Sequence, residues 1–132
     1  IYFHKEYREV LEKSAAEQLP LQRVEELLLG VDHGQLAARI MENWNFPDTI
    51  ILPVRHHHDP EKCPPDQRLD ARIVWAANAL VRVLKIGASA NPTPYGAGPL
   101  MELLGSRDAV TNILERLKKQ IPEMETFLQL MQ

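Results

Sequence analysis

Leu29-Gly30-Val31-Asp32-His33-Gly34-Gln35-Leu36-Ala37-Ala38 holds the end of one helix and the start of the next. Gly30 suits the left-handed conformation that closes a helix, and Asp32 is placed to accept a hydrogen bond from the first turn of the following one. Gln35 stands three residues further on, as in a capping box. Beyond it Leu36, Ala37, Ile40, Met41 and Trp44 recur at steps of three and four, the spacing of one helical face. A stop, a cap and a stripe in so short a stretch predict consecutive helices joined by a tight turn.

The same pattern extends outward in both directions. Residues from Tyr2 to Gln18 favour helix, with Tyr7, Val10, Leu11 and Ala15 as a modest apolar stripe, and Pro20 suits the opening turn of a helix over Leu21 to Leu29. Asn45-Phe46-Pro47 ends the helix begun at His33. Pro47 opens another that runs to about His58, with Pro53 inside it at the cost of a hydrogen bond and a kink. Asp59 to Gln67 holds three prolines and reads as a loop. From Arg68 to Ile86, Leu69, Ile73, Ala76, Ala77, Leu80 and Leu84 form a stripe that Gly87 terminates. Ala88 to Pro99 reads as an irregular connection. Ser106 caps a last helix striped by Val110, Ile113, Leu117, Ile121, Met124, Leu128 and Met131, with Pro122 as a kink. With no strand pattern and no internal repeat, the expected fold is all-α, a bundle of about five to seven helices, with residues 1–132 as a single domain.

Composition narrows the function classes. The 132 residues are 45% hydrophobic and 25% charged, typical of a globular protein rather than a disordered one. A net charge of −3 argues against a broad basic face, so no direct nucleic-acid binding is expected. No run approaches the length of a membrane span and the start lacks a signal-peptide pattern; with one cysteine, Cys63, and hence no internal disulfide, a reducing cytoplasm fits. Cys63 precedes Pro64-Pro65 and reads as a plain exposed thiol. Trp44 and Trp75 read as packing residues. The start at Ile1-Tyr2-Phe3, apolar and in mid-pattern, reads as part of a longer protein.

Histidine is the residue type with most leverage, because protonating all five would carry the net charge from −3 to +2. His33 precedes Leu36 and Ala37 by three and four residues, continuing an inward face. His57 and His58 follow Val54 at the same steps, while His56 falls toward the outer face and His4 is uninformative. A bundle that folds these two helices together would bring His33, His57 and His58 near one another. Imidazoles so placed suit a metal, and nearby carboxylates such as Asp59 or Asp70 would suit metal-assisted phosphoester hydrolysis. The structural alternative is a set of core histidines whose ring nitrogens meet backbone carbonyls. That alternative takes precedence, since adjacent His57 and His58 diverge on an ideal helix and the spacing to His33 matches no local metal motif.

Leu29 to Ala38, then Trp44-Asn45-Phe46-Pro47, then Arg55-His56-His57-His58-Asp59-Pro60, then Ala71-Arg72-Ile73-Val74-Trp75-Ala76-Ala77-Asn78 together resemble the latter half of an HDOD domain, a relative of the HD superfamily of metal-dependent phosphohydrolases. The resemblance covers about residues 25–84 and implies an HD-like helical fold with the upstream part missing. In catalytic relatives a His-Asp doublet and a later aspartate complete the ligands; a histidine and a His-His pair in one branch are similar to His33 and His57-His58. Here the aspartate position holds Asn78, an amide and a poor ligand, and no Gly-Tyr-Pro signature follows the pair. The resemblance therefore implies a vestigial metal site at His33, His57, His58 and Asn78, no catalytic residue, and no bound metal or other cofactor. It implies a non-catalytic regulatory output module of a bacterial signal-transduction protein, such as the C-terminal domain of a response regulator. Such a module would work through a protein partner, and the striped last helix suits a homo-oligomer. The alternative is an HD-superfamily phosphohydrolase that uses a divalent metal and takes its missing ligands from upstream.

Overall fold

The computed structural model of the chain describes the backbone of residues 4–86 and 96–130 and the side chains of residues 5–86 and 96–122. The described residues form seven α-helices and no strand: α1 (His4–Glu17), α2 (Leu21–Leu29), α3 (His33–Asn43), α4 (Asp48–Arg55), α5 (Arg68–Val83), α6 (Gly98–Leu104) and α7 (Arg107–Leu130), with a 3-10 turn at Pro60–Lys62. The fold is all-α, as the pattern predicts. Two compact units share these helices, one reaching to Trp75 and the other starting at Ala76, so α5 contributes to both. None of the described helices is long and apolar enough to cross a membrane.

In the first unit α1 pairs with α2, and Val10, Leu21 and Val24 are buried together with Leu11 packed against them. Gly30 closes α2 with φ 75°, its N–H donating to the Glu26 carbonyl at 3.0 Å. The Asp32 carboxylate then accepts from the Gln35 N–H at 2.8 Å and caps α3. At the far end of α3 the left-handed position falls to Asn45, φ 56°. Its N–H donates to the Glu42 carbonyl and that of Phe46 to the Met41 carbonyl, both at 3.0 Å, which satisfies two carbonyls the helix end would otherwise leave open.

α3 packs on α4, and the face it buries differs from the expected stripe. Gly34 and Ala38 are buried, whereas Leu36, Ile40 and Trp44 are 53%, 43% and 70% exposed. The side chains small enough to let the two backbones approach take the interior, and the large ones of the stripe stand outside. Glu42 of α3 pairs with Arg55 at the end of α4.

α4 stops at Arg55, three residues short of the expected His58, and His56 to His58 form a turn. Pro60 disfavours helical backbone at Asp59, which takes φ −145°. The segment from Asp59 to Gln67 is a loop, as expected, with a 3-10 turn at Pro60–Lys62 and two buried residues, Pro60 and Cys63. Pro60 is buried, the guanidinium of Arg68 donates to the carbonyls of Glu61 and Cys63, and Arg72 pairs with Glu61. Cys63 is consequently 1% exposed, with its Sγ donating to the Gln67 carbonyl at 3.6 Å, which corrects the expectation of an exposed thiol.

In the second unit Ala76, Leu100 and Val110 are buried together, with Leu80, Met101, Leu104 and Leu114 packed on them. α6 has no counterpart among the expected helices. Gly98-Pro99 reads as loop composition, but proline fits the first turn of a helix, and the Met101 N–H closes that turn on the Ala97 carbonyl at 2.8 Å. Ser106 caps α7 as expected, its Oγ accepting from the Ala109 N–H at 3.1 Å. α5 closes through Lys85, φ 54°, with the Ile86 N–H on the Val81 carbonyl at 2.9 Å. Gly87, the expected stop, lies outside the described residues, as do most of the Ala88–Pro99 connection and the side chains of Met124, Leu128 and Met131.

Candidate functional site

His33 opens α3, and His57 and His58 lie in the turn after α4. That early helix end decides the geometry. Neighbours on an α-helix diverge by about 100°, but in the turn both rings converge on His33. Ring centroids are 3.9 Å apart for His57 and His58, 4.6 Å for His33 and His58, and 5.4 Å for His33 and His57. One ring nitrogen from each residue lies within 4.8 Å of the others.

Gly34 provides the space. A Cβ at this position would stand 3.0 Å from the Val54 carbonyl oxygen and 3.2 Å from Cε1 of His57, tight enough that each would have to give by a few tenths of an ångström. The lack of a side chain at residue 34 thus lets the Val54 carbonyl and His57 approach the first turn of α3 this closely.

The orientation of the rings is set by acceptors. Glu25, on α2 and 2% exposed, takes the His33 Nδ1–H at 2.6 Å and the His33 backbone N–H at 3.0 Å on one oxygen, and the Tyr7 hydroxyl at 3.1 Å on the other. α1, α2 and α3 thus meet at one buried carboxylate. The Val54 carbonyl takes the Nδ1–H of His57 at 2.6 Å. Nε2 of His33 and Nε2 of His58 face each other at 2.8 Å.

Charge follows from these contacts. Burial pushes the Glu25 carboxyl up, but the hydrogen bonds from His33 and Tyr7 and the charge of His33 outweigh it and hold the group below its ordinary value. The hydrogen bond to Glu25 raises His33 above its ordinary value against the effect of burial. Desolvation lowers His57, with the charge of His33 adding to it, so His57 stays neutral where His33 charges. Burial, and the Tyr7–Glu25 contact, push the Tyr7 hydroxyl up.

Of the residues singled out in the sequence, His33, His57 and His58 come together. Asn78 sits half-buried on α5 in the second unit. Asp59 is spent on Lys62 at 3.1 Å and Asp70 lines a shallow groove with Ile50, Pro53 and Ile73; neither joins the three rings. His56 turns toward a polar cavity of about 160 Å³, lined also by Arg23, Asp32, Arg55, His58 and Lys62. On the other side of His33 a cavity of about 390 Å³ has apolar walls from Leu29, Val31 and Leu36, with Tyr7 and Glu25 at its edge. Glu25 and Tyr7 are the site residues that sequence reasoning missed. The available signal was Glu25 itself, a carboxylate on the face of α2 that carries Leu21, Val24 and Leu28.

Three imidazole nitrogens form a donor set for a transition-metal ion, and the group includes no carboxylate. A curated protein of Treponema pallidum (strain Nichols), described as an uncharacterized protein, is 26% identical over 99 residues, covering 72% of this chain and 18% of that protein, so the match spans less than a fifth of the relative's length. No solved structure matches the chain. The family model of the HDOD domain matches residues 1–60, which takes in three of the four motifs behind the resemblance and ends before Asn78. Residues 1–60, with His33, His57 and His58 among them, are thus similar to the HDOD domain family.

Proposed function

We propose that the chain is a non-catalytic regulatory module of a bacterial signal-transduction protein, working in the cytoplasm through a protein partner, as the output part of a response regulator would. The observation that carries this reading is the use made of the carboxylates around the three histidines. In catalytic HD relatives a His-Asp doublet and a later aspartate complete the ligands of the ions that activate the attacking water. Here Glu25 is turned to Nδ1 of His33 and to Tyr7, Asp32 caps α3, and Asp59 pairs with Lys62. Among the described residues the cluster is nitrogen alone. Leu36, Ile40 and Trp44, exposed on α3, suit contact with another protein, and surface of that kind is typical of interaction sites.

Turnover assays test the reading. The chain, incubated with manganese, ferrous iron or magnesium, should leave a phosphodiester such as bis-p-nitrophenyl phosphate and cyclic dinucleotides intact. Metal-dependent turnover that His57→Ala and His58→Ala abolish would overturn it in favour of a phosphohydrolase.

A further inference from the structure

The apolar stripe of α5 is covered along only part of its length. Ala76 is buried with Leu100 and Val110, and Leu80 packs on them, so α6 and α7 close the second half. The first half has no such cover: Leu69 and Ile73 are 61% and 48% exposed. Ile73 and Val74 instead form one wall of an open groove of about 300 Å³, whose other wall is Ile50, Pro53 and Val54 of α4. These walls are apolar, and the charged residue among them is Asp70. Its carboxylate makes no ion pair or hydrogen bond among the described residues, and neither does that of Asp48, two residues before Ile50.

α7 carries the complementary surface. At about 1.5 Å per residue its 24 residues extend about 36 Å, against about 10 Å for the 7 residues of α6. Val110 and Leu114 pack in the buried cluster, which among the described residues takes in nothing of α7 beyond Leu114. Leu117 and Ile121, both half-buried, carry the stripe onward. Lys118 stands three residues before Ile121 and Arg116 three after Ile113, so a cation flanks the stripe on each side. Arg116 and Lys118 are exposed and make no ion pair among the described residues.

We propose that α7 of one copy docks into the α4–α5 groove of a second copy, with Leu117 and Ile121 against Ile50 and Ile73 and a cation of α7 beside Asp70. An amphipathic helix laid into an apolar groove gains affinity from the apolar contact, and the opposite charges set its orientation and register. The first turns of α7 already cover the second half of the α5 stripe within one chain, and its later turns repeat that kind of contact on the open half in another. Groove and helix are different faces, so the contact is heterologous: each copy offers one of each. The proposal goes beyond the regulatory reading, which self-association neither requires nor excludes.

Sedimentation of the untagged full chain from micromolar to millimolar concentration tests it. The expected result is an average mass that climbs above that of one chain as concentration rises. Ile73→Glu and Asp70→Lys should each weaken association at least about 10-fold, and so should the double variant Arg116→Glu/Lys118→Glu. Mixing the Asp70→Lys chain with the double variant should restore association, because one brings an unaltered α7 and the other an unaltered groove. That recovery also separates loss of the contact from loss of the fold, which far-UV circular dichroism checks directly. Trp44→Ala, exposed just after α3, should associate as the wild type does. A chain that stays monomeric throughout overturns the proposal. So does association that the groove variants or the α7 variant leave unchanged, and so does association that Trp44→Ala abolishes, which would place the contact on α3. Turnover of a phosphodiester would count against the regulatory reading alone and leave this contact standing.

Discussion

Replacing Gly34 by alanine tests the packing that delivers His57 to the cluster. The new Cβ would stand 3.0 Å from the Val54 carbonyl oxygen, 3.2 Å from Oδ1 of Asp32 and 3.2 Å from Cε1 of His57, so each neighbour must yield by a few tenths of an ångström. None is free to move. The Val54 oxygen accepts the His57 Nδ1–H at 2.6 Å, and Oδ1 of Asp32 holds the Gln35 N–H at 2.8 Å. Overpacking of this kind costs about 1–3 kcal/mol. Weakening either hydrogen bond adds up to ~1 kcal/mol. Alanine returns at most about 1 kcal/mol of helix propensity, and less in the first turn. The balance is a loss of about 1–2 kcal/mol, which for a chain of this size lowers Tm by roughly 3–10 °C. Thermal and urea unfolding followed by far-UV circular dichroism measure it, with Arg39→Ala on the exposed side of the same helix as the control. A Gly34→Ala chain as stable as the wild type, or more so, would refute the close approach of Val54 and His57 to α3.

Three further outcomes follow from the same contacts. Asp32→Ala removes the cap of α3 and should cost about 1 kcal/mol in urea unfolding, with Asp32→Asn recovering most of it; equal stability of Asp32→Ala and wild type would remove the cap from the account. The Glu25–His33 pair should contribute most to the metal-free protein between about pH 4.5 and 6.5, the ordinary values of its two groups. His33, raised on folding, gives stability that is full below 6.5 and lost as pH climbs through its folded value; Glu25, lowered, gives stability that is full above 4.5 and lost as pH falls through its own. His56 and His57, both lowered, pull the other way on acidification, so the measurement is the difference between wild type and Glu25→Gln across pH, and a flat difference contradicts the pairing. Cys63, its thiol pushed up by burial, should react with a disulfide reagent far more slowly in the folded chain than in urea, and equal rates would place it at the surface.

What the sequence made legible follows from how local each signal is. α2 spans Leu21 to Leu29 as expected because Pro20 and Gly30 bracket it, and the Asp32 cap needed only its own first turn. α6 was hidden because Gly98-Pro99 carries loop composition although its proline begins a helix. The inward face of α3 was misassigned for a tertiary reason. Periodicity locates a stripe but does not say which side meets α4, and the contact with α4 selected Gly34 and Ala38 over Leu36 and Ile40. The convergence of His33 with His57 and His58 was expected from their faces, but it depends on α4 ending at Arg55, an effect of chain geometry near Pro60 that periodicity extended over.

The five histidines looked in the sequence like a block able to carry the net charge from −3 to +2 in mild acid. Their surroundings divide them. Glu25 draws a proton onto His33, and the charge that results is one of the causes that keep His57 neutral, together with its burial. His56 is held down by burial and by the neighbouring charges of Arg55 and Lys62. On mild acidification the histidines therefore do not charge as one block: His33 takes its proton first because Glu25 faces it, and His56 and His57 take theirs later because burial and neighbouring positive charge oppose it.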